Sequence, residues 1–166
     1  MTVGDGGDDC QYYFANADKL KKILICINEE NGTKVEITDY AGKVLQNSVG
    51  QYMFSNCYNL STKYINRLIK DVTEIKDKAF YAGNEHRDDF SDDADNKMAI
   101  EIPSSVKKIG DQAFWNRVKV TGLNIHGNGG CLEIGSEAFG ACDELANITL
   151  DNKELKIYKN AFMRCK

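Results

Sequence analysis

Ile109-Gly110-Asp111-Gln112-Ala113-Phe114 is one version of a phrase that recurs along the chain. The other copies are Val49-Gly50-Gln51-Tyr52-Met53-Phe54, Ile75-Lys76-Asp77-Lys78-Ala79-Phe80, Ile134-Gly135-Ser136-Glu137-Ala138-Phe139 and Ile157-Tyr158-Lys159-Asn160-Ala161-Phe162. The leading aliphatic and the closing phenylalanine hold their places in every copy. Successive phenylalanines lie 26, 34, 25 and 23 residues apart. A period in the twenties marks a solenoid, whose unit cannot bury its own apolar face and must stack on its neighbours.

The rest of each unit keeps the same frame. A small or sulfur residue stands three positions after the phenylalanine, a leucine or valine at six, and aliphatics at nine and eleven. Phe139, Cys142, Leu145, Ile148 and Leu150 form the clearest set. Phe54, Cys57, Leu60 and Ile65 follow with a lapse at Lys63, and Phe114, Val120, Leu123 and Ile125 follow with Arg117 in the small-residue place. An earlier, degenerate unit runs through Phe14, Ala17, Leu20, Ile23 and Ile25. Alternation with period two, as in Ile148 and Leu150, predicts a short strand with one face buried. The helix-tolerant residues around each Ala-Phe predict a turn of helix on the opposite side.

The run Ile100-Glu101-Ile102-Pro103-Ser104-Ser105-Val106-Lys107-Lys108-Ile109-Gly110-Asp111-Gln112-Ala113-Phe114 resembles the BspA-like, Treponema-type leucine-rich repeat. The resemblance covers residues 44 to 166 well and 10 to 27 loosely. It implies an α/β solenoid: a right-handed stack of five to six units, with short concave strands and helical or irregular convex turns. It also implies an extracellular or cell-surface location and a role in adhesion or protein binding; the ligand itself does not carry over, and the expected partner is a protein, such as a host extracellular-matrix or cell-surface protein. The array departs from the family phrase where Lys76 and Tyr158 replace the glycine, and it keeps a single proline.

Residues 1–9 are rich in glycine and aspartate and read as a flexible lead-in, leaving 10–166 as one repeat domain. Two insertions break the period. Asn31-Gly32 separates two alternating runs, so residues 27–43 are expected to form a β-hairpin that caps the first repeat. Residues 83–98 lengthen one spacing to 34 and carry Glu85, Asp88, Asp89, Asp92, Asp93 and Asp95 against Arg87 and Lys97. That balance of −4 equals the formal charge of the whole chain. The cluster lacks the glycine and terminal glutamate of an EF-hand, and reads as a solvated acidic loop or a charged partner contact.

The composition, 42% hydrophobic and 10% aromatic over 166 residues, suits one folded domain. The run from Ile23 to Ile27 is too short to span a membrane. The acidic balance disfavours nucleic acid. Of the six cysteines, Cys57, Cys142 and Cys165 share one place in the repeat, where a small apolar group fits a stack. Cys10, Cys26 and Cys131 lie outside it. No pair spaced C-x-x-C exists, and His86 and His126 have no cysteine close in sequence, so no metal or other cofactor is expected. Nucleophile elbows, HExxH and phosphate loops are missing too, which argues against an enzyme.

What remains is surface. Counting outward from the buried aliphatics, the strand face should present Lys22, Leu24, Tyr64, Glu101, Asn124, Asn147 and Thr149. Tyr81 and Trp115 directly follow their phenylalanines, and either pack on neighbouring repeats or stand out as interface anchors. The expected function is a non-enzymatic module for adhesion or protein recognition. The alternatives are a rigid architectural spacer or capping segment of a larger surface protein, and a carbohydrate-binding module.

Overall fold

The computed structural model describes residues 48–58, 60–83, 97–127 and 129–166. The lead-in, the degenerate first unit with Lys22 and Leu24, the hairpin of 27–43, and Asp88, Asp89, Asp92 and Asp93 of the acidic insertion lie outside the described residues.

The described chain is a β-solenoid with two strands per turn. The elements are β1 (Ser48–Val49), α1 (Thr62–Leu68), β2 (Glu74–Ile75), β3 (Ala99–Ile102), β4 (Lys108–Ile109), β5 (Gly122–Ile125), β6 (Cys131–Ile134), β7 (Asn147–Leu150) and β8 (Glu154–Ile157). A five-stranded sheet runs β1-β2-β4-β6-β8 and a three-stranded sheet β3-β5-β7. All pairs are parallel, so equivalent residues of successive turns face one another, as in Ile75 against Ile109 and Ile100 against Leu123. The alternation around Ile148 anticipates the three-stranded sheet. The second strand of each turn, such as Cys131–Ile134, builds the larger one.

The helix turn expected at each Ala-Phe is absent. Those corners are tight turns with left-handed residues at Lys78, Gln112, Glu137 and Asn160. Their amides bond across turns: Phe54 N–H donates to Ala79 O (2.8 Å), Phe80 to Ala113 (2.7 Å), Phe114 to Ala138 (2.7 Å) and Phe139 to Ala161 (2.8 Å). An α-helix would need those groups for bonds four residues back. Stacking offers the same bonds and buries the phenylalanine as well, so stacking wins. Ring centroids along the column stand 5.3, 5.2, 5.0 and 5.6 Å apart, with nearly parallel planes. The step from Phe80 to Phe114 spans the 34-residue interval and keeps the spacing of the others.

The family glycine has a steric cause. Asp77 Oδ1 accepts the Asp111 amide at 2.9 Å, and Asp111 Oδ1 accepts the Ser136 amide at 2.7 Å, so each aspartate is stapled to the next turn. A Cβ on Gly110 would run into Asp77, and one on Gly135 would sit 2.6 Å from Asp111 Oδ1. Where the preceding turn carries Gln51 or Ser136 in place of aspartate, the glycine gives way to Lys76 or Tyr158. The departures from the family phrase therefore come in matched pairs.

One turn departs from the pattern. In place of a strand, residues 62–68 form α1, whose Thr62, Ile65 and Leu68 point into the core. This corrects the placement of Tyr64, which lies on the helix and not on a strand face. The buried residues Ile65, Leu68, Ile69 and Val72 follow helical spacing, and the lapse at Lys63 is where the strand frame fails. The helix also guards an edge. Asn66 Nδ2 donates to Ala99 O (2.9 Å) and its Oδ1 accepts the Glu101 amide (3.0 Å). Those are the two bonds that a residue of a parallel neighbour would make across from Ile100, so one carboxamide substitutes for a strand.

Candidate functional site

The outward faces of the two sheets are built differently. On the five-stranded sheet Glu74, Lys108, Glu133 and Lys156 stand in register on successive rungs, alternating in charge. Lys108 pairs with Glu74 at 3.7 Å and Lys156 with Glu133 at 3.0 Å. The hydrogen bond from Lys156 to Glu133 raises its pKa above the ordinary lysine value. This ladder satisfies itself.

The three-stranded sheet presents short polar side chains instead. Glu101, Asn124 and Thr149 are in register across β3, β5 and β7, and exposed Asn147 lies on the same strand as Thr149. Asn124 Nδ2 donates to Glu101 Oε1 at 2.8 Å. His126 Nε2 lies 2.9 Å from Glu101 Oε2. With both carboxylate oxygens held by neighbours, Glu101 is fixed in orientation. The Asn124 carbonyl, the second ring nitrogen of His126 and the Thr149 hydroxyl take no part in these two bonds. His126 was not among the expected ladder residues, although the alternation 122, 124, 126 puts it on the same face as Asn124.

The remaining candidates lie elsewhere. Tyr64 is half-buried against the core, with the Arg67 guanidinium 5.4 Å from its ring centroid. Trp115 is buried over Gly140, whose missing side chain makes room for the indole. It is part of the packing and presents no anchor. Tyr81 is half-buried, and Lys78 Nζ sits 5.6 Å from its ring and 5.2 Å from that of Tyr52. A shallow groove of about 380 Å³ lies along the same corner, lined by Gln51, Tyr52, Asp77, Lys78, Asp111, Gln112, Ser136 and Glu137. Its two aspartates already serve the turn-to-turn staples.

The small-residue place explains the oddest residue of the core. Cys142 Sγ donates to Phe114 O and Cys165 Sγ to Phe139 O, each at 3.3 Å. Burial raises both thiol pKa values, keeping the proton that makes the bond. Cys57, Cys131, Cys142 and Cys165 are all free thiols. In the unit of Phe80 the place falls to Gly83, which has no side chain to offer. Arg117 holds the same place in the next unit and makes the same bond with a longer side chain: its Nε donates to Phe80 O at 2.8 Å, and its Nη1 reaches on past the turn of Gly83 to Cys57 O at 3.1 Å. Burial lowers its pKa to about 10, so the guanidinium is charged at neutral pH. Gly83 itself is held on both sides, its amide by Asn56 Oδ1 and its carbonyl by Asn116 Nδ2, each at 2.9 Å. The chain is thus clamped where the acidic insertion departs.

Among the described residues no group of His, Cys, Asp and Glu could hold a metal ion, and no helix is long and apolar enough to cross a membrane. The family model described as the BspA type leucine-rich repeat region matches residues 10–93 and 47–166, in 6 copies. The chain belongs to this family. No curated protein and no solved structure matches it. BspA-type repeats are commonly surface modules for protein interaction and typically non-enzymatic.

Proposed function

We propose that this BspA-type array is a non-enzymatic recognition module that acts at a cell surface. It binds an extended segment of a protein partner, a host matrix or cell-surface protein, across the outward face of β3, β5 and β7. The observation that carries the reading is the contrast between the faces: the Glu-Lys ladder neutralises itself, whereas Glu101, Asn124, His126 and Thr149 form an oriented set of hydrogen-bonding groups on an open sheet. A peptide laid along such a face meets a donor or acceptor at every rung, about 4.8 Å apart. The set lacks a flat aromatic platform, which favours protein over carbohydrate.

The test is a binding screen of the chain against immobilised matrix proteins and glycans, repeated with Asn124→Ala/Thr149→Ala and, as a control, Lys108→Ala/Glu133→Ala. The expected result is a protein ligand whose affinity falls at least about tenfold in the first pair and little in the second. Binding indifferent to the first pair would move the site elsewhere. A chain that binds neither class would favour the rigid spacer.

A further inference from the structure

We infer that a slot at the corner of the five-stranded sheet binds a neutral glycan, with one pyranose ring laid against Tyr158. The slot is separate from the face of β3, β5 and β7, and the inference goes beyond the reading proposed for that face. Its volume is about 300 Å³. The floor is the glycine row of the repeat, Gly110 and Gly135, which lies two residues along the chain from the ladder residues Lys108 and Glu133. A Cβ on either glycine would meet the aspartate of the preceding turn, so the floor stays bare backbone. Asp77, Asp111 and Ser136 run along one side and Lys108 and Glu133 along the other, and Tyr158 completes the lining. The aromatic wall comes from a matched departure from the family phrase. Ser136 has no carboxylate to staple, the next turn needs no glycine, and Tyr158 stands in its place. The exchange thus sets an aromatic ring beside a glycine floor, where its apolar face can meet the C–H face of a sugar while polar groups surround the edge.

The polar groups select the ligand. The staples to the Asp111 and Ser136 amides use Oδ1 of Asp77 and of Asp111 and hold both carboxylates in fixed orientation, while Oδ2 of each takes no part in them. Successive turns set these carboxylates about 4.8 Å apart, a separation that the hydroxyls of one pyranose ring can span. Ionised carboxylates only accept hydrogen bonds, so the ligand must be rich in donors. Lys108 and Glu133 are already paired, with Glu74 and Lys156. The charge that faces a ligand is therefore that of the two aspartates, which repels sulfated and uronic glycans and admits neutral ones. A bare divalent cation is poorly served, because one oxygen of each aspartate is spent on a backbone amide and too few ligands remain.

The experiment is calorimetric titration of the whole chain with soluble polysaccharides: mannan, laminarin and galactan as neutral probes and heparin as the acidic one. The expected result is weak binding of at least one neutral probe, as suits a single shallow site, and none of heparin. Tyr158→Ala should weaken that binding by about tenfold or more, whereas Tyr158→Phe, which keeps the ring, should stay within about threefold. Asp111→Asn keeps an oxygen for the Ser136 amide and loses the second acceptor, and should weaken binding by about tenfold. Thermal melts confirm that each variant is folded. The pair Asn124→Ala/Thr149→Ala should bind the probe as the unaltered chain does, which separates this site from the three-stranded face. A chain that binds no neutral probe would overturn the proposal, as would tighter binding of heparin or indifference to Tyr158→Ala. Loss of glycan binding in the Asn124/Thr149 pair would place the ligand on the three-stranded sheet and overturn it as well.

Discussion

The two sheets share one core and one backbone plan, yet their outer faces have opposite characters. The five-stranded sheet spends its side chains on itself: Lys108 on Glu74 and Lys156 on Glu133. The three-stranded sheet holds Glu101 between Asn124 and His126 and leaves short polar groups around it. Their edges differ as well. Beside β3 a helix and one carboxamide stand in for a strand, while on β7 and β8 Ile148, Leu150 and Ile157 are between 42% and 49% exposed. In a stacked repeat the inward residues answer to the fold, and the outward ones are free to differ from sheet to sheet. Function should be sought where the outward ladder does not close on itself.

The largest effect should come from what the sheets have in common. Phe114 is fully buried between Phe80 and Phe139, so Phe114→Ala should cost about 3 to 5 kcal/mol in denaturant melts through lost burial and a cavity. Both sheets should melt together. If only one lost protection in hydrogen exchange, the shared core would be wrong.

Next comes the staple at the corner. Gly135→Ala should cost about 1 to 3 kcal/mol as an overpacked contact with Asp111. Adding Asp111→Ser, which copies the natural pairing of Ser136 with Tyr158, should recover part of that loss in a double-mutant cycle. The recovery is partial because the added Cβ also meets the backbone of the preceding turn. Strict additivity of the two changes would sink the matched-pair rule.

A smaller and local loss is expected at the guarded edge. Asn66→Ala should cost about 1 to 3 kcal/mol, because the Ala99 carbonyl and the Glu101 amide lose their partners. Exchange should quicken at the Glu101 amide and not in the five-stranded sheet, which would sharpen the contrast between them.

The charge ladder should matter least. Lys108→Ala breaks a solvent-exposed pair and should change stability by less than about 1 kcal/mol, an effect that salt removes. For Lys156 the folded pKa is raised, so its pairing with Glu133 contributes below the ordinary lysine value and is lost as pH rises through the raised one. Melts at neutral pH and at a pH above that raised value should show the Lys156→Ala difference shrinking. A difference that grew with pH would reverse this assignment.

Legibility followed periodicity. Phe54, Phe80, Phe114, Phe139 and Phe162 announced the stack because each must meet its equivalent in the next turn, and that demand repeats in the sequence. The outward places of Glu101, Asn124, Asn147 and Thr149 followed from period two. Tyr64 was misplaced because α1 keeps enough aliphatics to mimic a lapsed strand, and only the partner edge of β3 shows what replaced it. The corners read as helix because propensity is local, while the bonds that exclude helix there come from a neighbouring turn about 25 residues away.

The amino-acid sequence by itself determined the repeat, its register, the buried column and the family. These depend on a residue's own position in a period, which can be counted. Only the tertiary structure decided that Arg117 reaches across the turn of Gly83 to Cys57 O, that Asn66 plays a missing strand, and that His126 joins Glu101. Each of those is a contact between different turns in which one irregularity compensates another. No period records such a pair, because the physical link between its members is a distance of a few ångströms across the stack.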